Sequence, residues 1–367
     1  MLTNYSDILQ LIDQIDPIKY GKTRNYLNGA VTRLSPYISR GVVSTKQVAE
    51  SVLSKGYSPK EIDSFLKELA WRDYFQLVWQ ALKSKINEDV KQAQTNVSNY
   101  QIPLEITNAQ TRIEVIDNGI KAFYENGYMH NHLRMYVASI CCNIARCHWQ
   151  QPAKWMYYHL LDADWASNAL SWQWVAGSFS QKKYFANQEN INKYSNTDQN
   201  NTFLDHPYEL LPSLEIPDIL KTTIAFDLKT TLPESDVLNI QVSLPIYIYN
   251  FYNLDPMWDD HLAAKSILLL DSEHFRAYPV SEKTIQFVLD LSKNIKNIQV
   301  FVGSFQTLKD FYPEHIYHYK EHPLNNHYTG TKHQRDWLFE DVKGYFPSFF
   351  SFWKQAEKQF KAHPKQT

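Results

Sequence analysis

The stretch from Gly127 to Gly177 constrains this chain most. It contains GYMHNHLRMYVAS, then LLDADWASN, then SWQWVAGS. Asn131, Arg134, Asp162, Asp164 and Asn168 stand in it among apolar and aromatic residues. A carboxylate or guanidinium taken out of water is costly unless it is paired or holds a ligand. A fold that buries this stretch must close the five groups on one another, or around something large, polar and partly aromatic.

The surrounding periodicity is helical. Ser58–Ser84 opens on SPKEI, a Ser cap with Pro at the first helical position and an acidic first turn. Its Ile62, Phe65, Leu66, Leu69, Phe75 and Val78 recur at helical spacing. A second helix is expected from near Arg112 to Gly127, a third from near His130 to about Trp149, and a fourth from Pro152 through Leu161. After the Asn-, Asp- and Pro-rich run 192–215 the texture changes. Thr223–Phe226, Pro245–Phe251, Ser266–Leu270 and Ile298–Val302 read as short strands. Ser281–Lys296 reads as a helix on Ile285, Val288, Leu289, Ser292 and Ile295. Strand–helix–strand order predicts parallel pairing. The fold expected is mainly α: a helical domain over 1–195, a linker at 196–215, a smaller α/β domain over 216–345 and a C-terminal helix or tail at 346–367.

Composition narrows the chemistry. With only 10 Gly in 367 residues, glycine-rich phosphate loops are a poor candidate for the main ligand device. No apolar run approaches the roughly 18 residues of a membrane span, and the acidic, amphipathic N-terminus does not read as a secretion signal. Residues 1–200 carry 21 Lys and Arg against 18 Asp and Glu, and residues 201–367 carry 16 against 21, so any DNA contact must come from a local patch. Cys141, Cys142 and Cys147 are too few to hold a Cys-only iron–sulfur cluster and read as core thiols of a reducing cytoplasm.

Several groups fall at spacings that carry chemistry. Glu68 and Arg72 share a helix face, as do Asn131 and Arg134. His130 and His132 lack a third ligand at zinc spacing, so no metal site is expected. Asp162 and Asp164, two apart at a helix end, fit a metal, an acid–base pair or a grip on hydroxyl and amide donors. Trp149, Trp155, Trp165, Trp172 and Trp174 fall within 26 residues. One use of that density is a row of oxidisable rings leading from a buried cofactor to the surface.

These motifs resemble the FAD-binding core of the DNA photolyase and cryptochrome family. GYMHNHLRM, LLDADWASN and SWQWVAG carry the resemblance, and VTRLSPYISRGVVS (31–44), FLKELAWRDYF (65–75) and RIEVIDNGIKAFYENGYMHN extend it over about 20–186. The resemblance implies a helical fold around FAD. It implies that Tyr20, Thr32 and Ser35 contact the FAD phosphates and ribityl chain, with Leu34 adding backbone contacts. Arg72 and Asn131 would help hold the cofactor, Asp162 and Asp164 would contact its adenosine and flavin ends, Arg134 would pair with Asp162, and Asn168 would face the flavin N5. Glu68 would hydrogen-bond a damaged pyrimidine on which Trp71 and Met135 pack. Trp172 and Trp149 would be the inner electron donors. The implied activity is light-driven repair of pyrimidine dimers, with damaged DNA as the partner of a cytoplasmic monomer. MHNHLRM resembles the cyclobutane type. The alternative is a cryptochrome-like light or redox sensor without repair.

The departures are specific. Val31 replaces a phosphate-binding hydroxyl. His132 stands where an Arg usually meets DNA phosphate. LSWQW replaces GGWQW at Ser171. No Trp lies between Trp79 and Trp149, which leaves Tyr100 as a substitute for the outer electron donor. The family's antenna-type α/β domain normally precedes the flavin domain. Here the α/β texture follows it, which implies a rearranged, permutation-like chain with a shortened domain of that type; the resemblance does not say whether it holds a second chromophore.

Overall fold

A computed structural model describes residues 1–240, 244–258 and 263–362. The chain forms two compact units that interleave in sequence. The first comprises Met1–Gly21, Thr32–Ala81 and Lys229–Thr367; the second comprises Lys22–Val31 and Leu82–Leu228.

In the first unit, five parallel strands form one sheet in the spatial order Gln299–Val302, Lys265–Leu270, Ile246–Tyr249, Tyr317–Lys320, Thr331–His333. Ile246 registers with Lys265 on one side and with Tyr317 on the other. The earliest of these strands is therefore central, and the order reverses across it, as in a doubly wound sheet. Strands covered on both faces read as continuous apolar runs rather than as alternation. IYIY is buried throughout, as are the last four residues of KSILLL. Ile246, Ile248, Ile267, Leu269 and Phe301 pack with Phe305, Leu308 and Tyr328 into one core. The connecting helix Glu282–Ser292 is capped by Ser281, whose hydroxyl accepts from the Thr284 amide, and buries Ile285, Val288 and Leu291.

Two strand expectations change. Thr223–Ile224 is a strand, but it pairs antiparallel with Ile102–Pro103 in the second unit and lies outside the parallel sheet. Tyr317–Lys320 and Thr331–His333 complete the sheet without having been legible, because His318, Lys320 and His333 interrupt their apolar pattern.

The N-terminal helices of the first unit include Thr45–Ser54 and the 20-residue Asp63–Leu82. The latter begins later than SPKEI predicts. Ser58 and Glu61 do bond reciprocally, Glu61 accepting from the Ser58 amide at 2.8 Å, but they close a separate turn.

The second unit holds Glu114–Asn126, Asn131–Ser139, Gln150–His159 and Trp165–Ala176. The expected helix to Trp149 stops early. Ile140–Ile144 widens into a π turn, and Arg146 then takes a left-handed conformation at φ 53°. Gly127 ends the Glu114–Asn126 helix at φ 69°, and a Cβ there would sit 2.6 Å from Leu161.

Candidate functional site

In the second unit, four of the five polar groups of Gly127–Gly177 lie at or near two helix starts, and two of them, Arg134 and Asp162, meet directly. His130 caps the Asn131–Ser139 helix, its Nδ1 accepting from the His132 amide at 3.1 Å. One turn in, Arg134 donates from Nε to the Met129 carbonyl at 2.8 Å and from Nη2 to Asp162 Oδ2 at 2.9 Å. The Asp162 side chain is 5% exposed, so the pair is drawn largely out of water. The Leu161 amide, bonded to the Gly127 carbonyl at 2.9 Å, fixes the loop that carries it.

Asp164 caps the Trp165–Ala176 helix, its Oδ1 accepting from the Ser167 amide at 2.7 Å. Negative charge at a helix N-terminus is favourable, which lets this carboxylate stay buried. Asn168, also buried, donates to the Ala153 carbonyl at 2.8 Å, which fixes the direction of its amide oxygen. Asn131 is exposed and Met135 half-buried on the adjacent helix. These oriented donors and acceptors suit a ligand rich in both, as FAD is. Arg134, Asp162, Asp164 and Asn168 would hold it from this unit.

Trp149 and Trp172 are both buried. The Trp149 indole donates to Asp89 Oδ1 at 2.7 Å. Its ring centroid lies 6.5 Å from Trp165 and 5.7 Å from His148, and His148 in turn stacks on Tyr100 at 5.3 Å. Tyr100 is 70% exposed. Trp149, His148 and Tyr100 thus form a row from the interior to the surface. Asp89 and His148 were not singled out from sequence, although the adjacency of His148 to Trp149 was the available signal.

His132 is a core histidine. Its Nδ1 lies 2.7 Å from the Asn25 carbonyl, and its ring packs 4.6 Å from Tyr136 and 4.7 Å from Tyr194. Burial lowers its pKa, which favours the neutral ring. The cysteines are likewise core thiols: all three are buried and unbridged, and burial raises the Cys147 pKa to about 12.

Tyr20, Thr32, Leu34, Ser35, Glu68, Trp71 and Arg72 belong to the first unit. The Tyr20 ring meets Phe65 edge-on at 5.2 Å. Thr32 Oγ1 accepts from the Leu34 amide at 3.4 Å, and the Leu34 carbonyl accepts from the Tyr37 amide at 3.0 Å, so both backbone groups of Leu34 have partners within the chain. Ser35 starts a short helix with Pro36 in its first turn. Arg72 donates to Ser39 Oγ at 3.1 Å. Glu68 is half-buried.

Trp71 differs from its expected role. It stacks on Phe349 of the C-terminal helix Phe349–Ala362, with centroids 3.8 Å apart and planes 9° apart. Phe349 in turn stacks on Trp353 at 6.1 Å, and the Lys67 ammonium lies 5.5 Å over the Trp353 ring. The Tyr74 hydroxyl donates to the Phe346 carbonyl at 3.3 Å. The ring expected to pack on a pyrimidine is already packed on the chain's own phenylalanine.

Residues 65–225 match the family described as the FAD binding domain of DNA photolyase. A deoxyribodipyrimidine photo-lyase of Agrobacterium fabrum is 32% identical over 179 residues, which cover 46% of this chain and 37% of that protein. A cryptochrome DASH of Solanum lycopersicum is 32% identical over 174 residues, covering 43% of this chain and 29% of that protein. A bacterial class III photolyase structure from Agrobacterium tumefaciens aligns with 27% identity and a TM-score of 0.42, covering 47% of this chain and 38% of that one. The chain spans 37% and 29% of the lengths of the two curated relatives. Over residues 65–225 the chain matches the FAD binding domain of DNA photolyase, and the relatives it resembles there are photolyases and cryptochromes.

Proposed function

We propose that this protein binds FAD and serves light-driven electron transfer, with repair of pyrimidine dimers in DNA as its activity. The observation that carries the reading is the largely buried Arg134–Asp162 pair at 2.9 Å beside the two capped helix starts, within the segment matched to the FAD-binding family. When bound, the flavin supplies light absorption and one-electron chemistry. The chain supplies position and charge. Arg134 and Asp162 set the electrostatics of the pocket, Asn168 presents its amide oxygen, and Tyr20, Thr32, Ser35, Arg72 and Asn131 grip the remainder. Trp149 and Trp172 relay electrons inward, with Tyr100 as the exposed outer donor. Glu68 hydrogen-bonds the flipped-out pyrimidine. Buried, unbridged cysteines agree with a cytoplasmic setting. Among the described residues no helix is long and apolar enough to cross a membrane.

A second reading is supported by one observation. Phe349 covers Trp71, which is what a flavin sensor that signals through its own C-terminal helix needs, and what a repair enzyme must move aside. Two measurements on the purified full-length chain separate the readings. Flavin absorption bands and light-driven reduction establish the cofactor, and their absence overturns both readings. Splitting of a cyclobutane-dimer oligonucleotide under blue light establishes repair; reduction without splitting leaves the sensor.

A further inference from the structure

The second unit carries a polar cavity that the proposed flavin reading does not use. It has a volume of about 260 Å³ and lies where the Ile140–Ile144 π turn meets the loop after Gly177. Arg146, Lys183, Asn143, Gln181 and Phe185 are among the residues that line it.

Two features point to an occupant. Arg146 and Lys183 stand close enough that the guanidinium opposes protonation of the lysine, adding to the larger effect of burial. Among the described residues their hydrogen bonds go only to backbone carbonyls: Arg146 Nη2 to Leu214 at 2.9 Å and Lys183 Nζ to Thr95 at 2.7 Å. Among the described residues neither has a carboxylate within 4.0 Å. Two adjacent cations without an acid form a site of net positive potential.

The second feature is Asn143, which is only 7% exposed. Its amide nitrogen donates to the Val175 carbonyl at 3.0 Å and to the Tyr184 carbonyl at 2.7 Å. Flipping the amide would set its oxygen against both carbonyls, so the orientation is fixed. Its Oδ1 is buried and without a partner. An orphan acceptor beside two cations asks for a ligand that is anionic at one end and carries a hydrogen-bond donor nearby.

We propose that this cavity binds a small phosphomonoester bearing hydroxyl groups, its phosphate on Arg146 and Lys183 and a hydroxyl donating to Asn143 Oδ1. The volume of about 260 Å³ leaves room for a short polyol phosphate. A DNA phosphodiester fits less well, because neither its phosphate nor its deoxyribose within a strand carries a hydroxyl donor for Asn143.

Calorimetric titration of the full-length protein with glycerol 3-phosphate and ribose 5-phosphate tests the proposal. Inorganic phosphate and an undamaged duplex serve as competitors. Saturable binding is expected, weakened at least about ten-fold in Lys183→Met and in Arg146→Gln. Far-UV circular dichroism and thermal melting check that both variants remain folded. Absence of saturable binding at millimolar phosphomonoester overturns the proposal. So does affinity for inorganic phosphate equal to that for both esters, which marks an adventitious ion only. Displacement of the esters by the duplex, with both substitutions reducing duplex affinity, assigns the cations to DNA instead and also overturns it. None of these outcomes depends on whether flavin is bound.

Discussion

At the scale of single residues, the Arg134–Asp162 pair decides most. The spacing of LLDADWASN from MHNHLRM could not show that the two would meet; only the family resemblance implied it, and the structure brings them to 2.9 Å. Breaking a fully buried pair typically costs about 3–5 kcal/mol, but the Arg134 left behind is 22% exposed and keeps its bond to the Met129 carbonyl. Asp162→Asn should therefore lower the unfolding free energy by less, roughly 1.5–3 kcal/mol, in urea titration, and purify with less flavin per chain. Tyr100 is a subtler case. Sequence offered it only as a substitute, since nothing aligned it, whereas the stack through His148 links it to Trp149. Tyr100→Phe removes the phenol whose oxidation releases a proton, and should slow flavin photoreduction by about ten-fold, roughly 1.4 kcal/mol of barrier. An unchanged rate would exclude Tyr100 as the outer donor.

Asp73 was not singled out from sequence, yet it is buried, accepting from Thr45 Oγ1 at 2.8 Å and from the Leu338 amide at 2.8 Å. Burial raises its pKa to about 6, against the smaller opposing effects of these bonds and of Arg335 and Arg72. Between the ordinary carboxyl range and about 6 the native state binds more protons than the unfolded chain, so this group's contribution falls as pH rises. The stability of wild type relative to Asp73→Asn should drop by up to about 3 kcal/mol between pH 4 and pH 7. A difference that stays flat across that window would show that Asp73 does not titrate there.

Among elements, the C-terminal helix Phe349–Ala362 has the largest functional consequence. PSFFSFWK was legible as a helix or tail, but its destination was not, because an apolar helix face does not name the surface it will cover. Phe349 is 3% exposed and stacked on Trp71. Truncating a buried Phe typically costs about 3–5 kcal/mol. Phe349→Ala should lower the melting temperature and red-shift tryptophan emission as Trp71 meets water. Under the repair reading it should also raise affinity for a dimer-containing oligonucleotide; under the sensor reading it leaves that affinity unchanged and alters the light response. The sheet strands show the same limit of sequence reading. IYIY and SILLL announced themselves because both of their faces are covered, whereas His318 and His333, stacked or tilted against Tyr247, hid the next two strands inside a polar pattern.

At the scale of the whole molecule, the change in composition after residue 192 marks a change of texture along the chain, but packing ignores it. The run 192–215 lies inside the second unit, while Thr32–Ala81 shares the first unit with Lys229–Thr367. The bonds are specific: Asp73 to Leu338, Gln76 to Arg335 at 2.6 Å, Tyr74 to Phe346. Composition averages over neighbours in sequence and cannot register partners more than 250 residues away. A fragment ending at residue 215 would therefore keep the Asp63–Leu82 helix but expose the face that Leu338, Phe349 and Phe352 cover. Each large apolar side chain left without its cover forfeits about 1.5–3 kcal/mol, so a few such losses approach the roughly 5–15 kcal/mol of stability that a domain has. In the fragment the Asp63–Leu82 helix should lose its protection from amide hydrogen exchange, whereas in the full chain it should keep it. Equal protection of that helix in fragment and full chain would show that Lys229–Thr367 is dispensable for the rest of the first unit.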